Sequence, residues 1–215
     1  MASQVSIVNR ALIMIGEQPI LLLTDNVKQA RTMAALFDDT RDAEIRAHRW
    51  KFAMRRTRLS ALVETPDWGY QLQYELPANF IGLVQVNEIY LRAGVKQRAP
   101  WAIEGRRLLT DLPAPLAVRY VARVTDTAIF DPLFVDVLAC RLAMEACEAQ
   151  TQSDTKFQRV AQMYDQALRL AIRQDSVEAP PDELPDGTWL QSREGGGYAG
   201  IGADGGLWPA SVTVL

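Results

Sequence analysis

The chain has 215 residues, 48% hydrophobic and 23% charged, with a formal net charge of −3 and one histidine. This is the composition of an ordinary folded protein with room for one substantial core or two small ones, and it argues against a dedicated nucleic-acid binder. No apolar run approaches the roughly 20 residues of a membrane span, and no basic stretch with an apolar core and cleavage site opens the chain, so cytosolic synthesis is expected.

Val5, Val8, Leu12 and Ile15 recur at three- and four-residue steps, which lays an apolar stripe along a short first helix. Gly16 stands where that helix must stop, because glycine takes the left-handed conformation of a helix C-terminus. Pro19 bars continuation. Thr24, Asp25 or Asn26 is expected to cap a second helix running to about Trp50, a rod of roughly 37 Å at 1.5 Å per residue.

From Lys51 the chain alternates large apolar with basic or small residues, as an extended segment does. Residues 65–70 form a turn-rich loop with Trp68 and Tyr70. Strands are predicted at 71–76, closed by Pro77, and at 83–91, with a turn at Arg92-Ala93-Gly94. Shorter ones at 102–104 and 107–110 join across Gly105, and 116–123, after Pro113 and Pro115, has the clearest pattern. The expectation is one small antiparallel sheet over about 51–124.

Asp131-Pro132 is a strong helix start, with an N-cap followed by proline in the first turn. Leu133, Val137, Leu138, Met144 and Cys147 continue on one face to about Gln150. Cys140 and Cys147 lie seven residues apart on this helix, about 10.5 Å along its axis, so both are expected to be buried free thiols. Ser153 or Asp154 can cap a last helix whose stripe is Phe157, Val160, Ala161, Tyr164, Ala167, Leu168 and Ala171.

After Gln174 lie eight of the 13 glycines, four of the 11 prolines and seven carboxylates against Arg193 alone, a net −6. Such a segment is expected to order on a partner through its spaced aromatics, Trp189, Tyr198 and Trp208. The organisation read from the sequence is α+β. A four-helix bundle occupies 1–174 with a small antiparallel sheet inserted between helices 2 and 3, and 175–215 form an extended C-terminal tail.

Three motifs in order carry a family resemblance. Asn9-x-Ala11-Leu12-x-x-Ile15-Gly16-Glu17-x-Pro19-Ile20 precedes Arg46-x-x-Arg49-Trp50-x-Phe52, and Tyr74-Glu75-Leu76-Pro77-Ala78-Asn79-Phe80 follows. Over roughly residues 4–175 the chain resembles the head-to-tail adaptors of short-tailed phages, the tail tubular protein A or connector family. That resemblance implies a non-enzymatic virion protein. It would form a ring, twelve copies in the particle, between the portal protein and the tail nozzle protein, with DNA passing through the channel without sequence-specific binding. It also implies that the C-terminal tail reaches the portal.

Reactive groups are sparse. His48 sits among Arg46, Arg49 and Trp50 with no nucleophile beside it, and a structural role is expected. Gly195-Gly196-Gly197 follows no strand and precedes no Lys-Ser/Thr, so it is read as linker rather than phosphate loop. No metal or cofactor is expected. Glu17, Asp38 and Asp39 are the carboxylates that a cell-wall-hydrolysing tail protein would need, which is one rival reading. A small helical regulator or chaperone is another. Arg55, Arg56 and Arg58 have only Glu64 near them in sequence. They are either a solvated strand surface or, with Trp189, Tyr198 and Trp208, part of a partner interface.

Overall fold

The structure, a computed structural model, describes residues 2–87, the backbone of 89–90, and 100–177. The predicted turn at Arg92-Ala93-Gly94 and the segment with Trp189, Gly195, Gly196, Gly197, Tyr198 and Trp208 lie outside the described residues. Helices α1 (Gln4–Ile15) and α2 (Lys28–Ala47) come first, and α3 (Pro132–Thr151) and α4 (Asp154–Val177) come last. Between them lie strands β1 (Met54–Leu59), β2 (Leu72–Glu75), β3 (Phe80–Val86), β4 (Ile89–Tyr90), β5 (Trp101–Glu104), β6 (Arg107–Thr110) and β7 (Leu116–Ala122). The chain is α+β, and no helix among the described residues is long and apolar enough to cross a membrane.

Helix α1 stops as its sequence requires. Gly16 is left-handed at φ 77°, its N–H donates to the carbonyls of Leu12 and Ile13, and Glu17 N donates to Leu12 O at 2.9 Å. The link that follows is clasped to the helix. Asn9 Nδ2 donates to Ile20 O at 2.9 Å and Ile20 N donates to Asn9 Oδ1 at 2.8 Å, which seats Ile20 in the core. Cations on α4 complete the end: Lys156 Nζ reaches Ile15 O and Arg159 Nη2 reaches Met14 O. They satisfy carbonyls that a helix C-terminus leaves open.

The second helix departs from expectation at both ends. None of Thr24, Asp25 and Asn26 caps it; the N-cap is Val27, without a side-chain bond. The Asp25 carboxylate is already committed to the N–H groups of Leu21 and Leu22. At the other end α2 stops at Ala47, short of Trp50, because His48 is extended. The released Trp50 turns back so that its indole N–H donates to Glu44 O at 2.9 Å, one of the helix's open carbonyls. Its fully buried ring then meets Phe134 edge-on at 5.1 Å, and Phe52, Phe130 and Phe134 close the aromatic cluster.

Helix α3 lies at the centre of the helical core. It starts at Asp131, whose carboxylate accepts from the N–H groups of Leu133 and Phe134, and it buries Val137, Leu138, Leu142, Ala143 and Ala146. Cys140 and Cys147 are buried free thiols. On α4 the stripe is buried at Val160 and Ala171 and packed at Tyr164, Ala167 and Leu168, whereas Phe157, at the start, is 45% exposed. Helix α4 also runs on to Val177, past the Gln174 at which the sequence reading ended it.

The expected single sheet is two. One has the order β1-β7-β3-β4 and the other β2-β6-β5, all antiparallel. They share a second hydrophobic cluster of Tyr74, Leu76, Trp101 and Leu108 with Val86, Leu116, Val118 and Tyr120. The predicted strand over 83–91 is broken, because Asn87 is left-handed at φ 51° and turns β3 into β4. The Tyr74–Phe80 motif is the crossover between the sheets. Tyr74 is fully buried with its hydroxyl on Leu112 O, and Asn79 Oδ1 accepts from Tyr120 in the other sheet at 3.2 Å.

Candidate functional site

The two faces of the larger sheet have different fates. Alternate residues Leu116, Val118 and Tyr120 of β7 point into the cluster shared with the smaller sheet. On the opposite face Val121, Met54, Ile81 and Val84 pack into the helical core, and farther along that same face the cover ends. There Arg56 stands directly across from Arg119 in the β1–β7 register, and Arg58 lies two residues along β1 opposite Ala117. A bulge between Leu83 and Gln85 turns Gln85 to the same face, opposite Arg119.

These residues surround a depression of about 590 Å³ whose lining, among the described residues, contains no carboxylate. Among the described residues, Arg56, Arg58 and Arg119 make no ion pair or hydrogen bond. Like charges directly opposite one another in a sheet are unfavourable. Arginine forks that none of the described carboxylates engages suit an anionic partner.

The three arginines read together from the sequence do not share one face of the sheet. Arg55 points to the other face, and its Nη1 donates to the carbonyls of Phe52 and Met54, both at 2.9 Å. Glu64 pairs with Arg107 instead of with the β1 arginines. Arg119 was missed because it is distant in sequence, and only strand pairing brings it opposite Arg56.

His48 has a structural setting, with Nε2 3.3 Å from Asp175 Oδ2 and its ring edge-on to Trp50. Glu17 accepts from Gln29 Nε2 at 3.0 Å, Asp38 pairs with Arg41 at 2.7 Å, and Asp39 is exposed. The structure thus assigns Glu17 and Asp38 to separate local contacts.

A buried polar cluster also escaped the sequence reading. Glu44 on α2 accepts from the Tyr164 hydroxyl on α4 at 2.9 Å, and Arg141 on α3 lies 3.8 Å away while binding Glu145 at 2.7 Å. Thr40 donates to the other oxygen of Glu145. Glu44 Oε2 is buried without a hydrogen-bond partner. Burial raises the Glu44 carboxyl above its ordinary value against the opposing pull of Tyr164 and Arg141, and burial pushes the Tyr164 hydroxyl up to about 12.

A carboxyl raised on folding contributes stability that is fully present below its unfolded value of 4.5 and is lost as pH rises through the folded one. Glu44→Gln removes that loss while keeping an acceptor for Tyr164. Relative to wild type, the variant should gain stability as pH rises above 4.5. Urea unfolding on both sides of that pH checks it, and a difference that does not change with pH would count against the assignment.

No family model matches the chain, and no curated protein matches it either.

Proposed function

We propose that the protein is a non-enzymatic structural adaptor of a phage particle, forming a ring between the portal protein and the tail nozzle protein and continuing the DNA channel. In this reading the four helices make a bundle centred on α3, the two sheets are the insertion between α2 and α3, and the residues after Val177, where α4 ends, are the portal-reaching tail. It would be made in the host cytoplasm and end in the virion.

The observation that carries the reading is where the resemblance residues lie. Asn9 and Ile20 clasp the α1–α2 link, Gly16 ends α1, Trp50 and Phe52 wedge the aromatic cluster, and Tyr74 to Phe80 joins the sheets. The shared motif is therefore a scaffold, as expected where function lies in docking rather than chemistry. Helix α4 also carries Met163, Leu170 and Val177 at seven-residue spacing and 37%, 56% and 72% exposed, an apolar stripe suited to a protein neighbour.

Light scattering of the chain alone and with purified portal tests the reading. The expected result is a monomer in dilute solution and a ring only on the portal. A chain that stays monomeric with portal present, or that releases soluble peptidoglycan fragments in a manner lost in Glu17→Gln, would overturn it.

A further inference from the structure

Strand β1 is an edge. It pairs with β7 through all six of its residues, and among the described residues no strand flanks its other side. An edge strand offers a row of main-chain donors and acceptors to any extended segment that fits. Charged side chains normally blunt such an edge, and here they discriminate between partners. A second β1 would place arginine against arginine, whereas an acidic strand would meet complementary charge.

We propose that the outer edge of β1 accepts an extended acidic segment of a partner protein as an added strand, with alternate carboxylates seated on Arg56 and Arg58. Three observations carry this. Arg56 and Arg58 lie two residues apart, so both project from the same face at the side-chain repeat of a strand. Arg119 stands behind Arg56 and adds to that face a third cation without an ion pair among the described residues. Among the described residues no carboxylate lines the depression they border, so an acidic strand would meet arginines that none of those residues compensates.

An added strand sets its own side chains at the same repeat. Acids at every second position therefore fall on the arginine face together, whereas two adjacent acids are split between faces. Among the described residues no aromatic side chain lines the depression to give bases a stacking platform. That favours a peptide over single-stranded nucleic acid. The inference rests on the reading of the chain as a protein-docking component and names the chemistry of one partner.

The test uses the full chain and a labelled synthetic peptide with glutamate at alternate positions among threonine and valine, followed by fluorescence anisotropy. Three controls accompany it: the same composition with the glutamates adjacent, the alternating peptide N-methylated at every second amide, and a short DNA duplex. The alternating peptide should bind up to about fivefold tighter than the adjacent-acid control, as the one additional cross-strand charge pair predicts. N-methylation should abolish binding, because it removes the ladder donors. Arg56→Gln with Arg58→Gln should abolish it too, and Arg55→Gln should leave it unchanged.

Arg56→Glu with Arg58→Glu should transfer binding to an alternating lysine peptide, which separates lost charge from lost fold. Equal binding of both acid arrangements, indifference to N-methylation, binding of the duplex in place of the peptide, or binding of no probe would each overturn the proposal. Portal-dependent ring formation is measured separately. Its success beside a failed peptide test sinks this inference alone, and its failure sinks the adaptor reading.

Discussion

Trp50→Ala should destabilise the protein by about 3–5 kcal/mol, the range for removing a large aromatic side chain from a packed core. Trp50 is 1% exposed and touches His48, Phe52 and Phe134, so its loss leaves a void among rings held by β1's approach and by α3. It also strips Glu44 O of its donor. That second cost separates the site from an ordinary core position, because Trp50→Phe fills most of the space without restoring the N–H. The expected order in urea midpoint is wild type, then Trp50→Phe, then Trp50→Ala. Equal midpoints for Phe and wild type would show that the indole hydrogen bond contributes nothing.

How far these features were legible in the sequence depended on how local their causes were. Gly16 and Asp131-Pro132 act within one turn of chain, and both end or begin their helices where the residues predict. The Gly105 hairpin is local in the same sense. Asp25 shows how a local rule fails, since a competent cap can be spent on nearer donors, here Leu21 and Leu22. Partition into two sheets was illegible because each strand has the same alternation whichever neighbour it takes. Tyr74 and Tyr120 share a core although they belong to different sheets.

The candidate surface divides along the same line. Arg56 and Arg58 could be singled out as cations without nearby acids, but period-two geometry removes Arg55 from their face, and long-range pairing adds Arg119. Glu44, Arg141 and Tyr164 each look like a solvated helix residue in sequence, and three separate helices bring them together.

Two truncations three residues apart should behave differently. A chain ending at Gln174 loses Asp175, whose carboxylate accepts from Lys51 N at 3.2 Å and faces His48 Nε2 at 3.3 Å, and whose carbonyl accepts from Lys51 Nζ. These contacts tie the last turn of α4 to the chain just before β1. Losing them should cost about 1–3 kcal/mol, the cost of leaving partly buried donors unpaired. A chain ending at Val177 keeps all of them, so its thermal midpoint should lie above that of the shorter form. In the adaptor reading both truncations should fail to mount on the portal, since each lacks Trp189, Tyr198 and Trp208, and anchor aromatics dominate interface energy. Circular dichroism melts and portal co-sedimentation of the pair separate the two effects. If the form ending at Val177 mounts normally, portal attachment lies elsewhere on the chain, and the arginine face of β1 is the next surface to test. If the two forms melt together, Asp175 does not stabilise the folded chain.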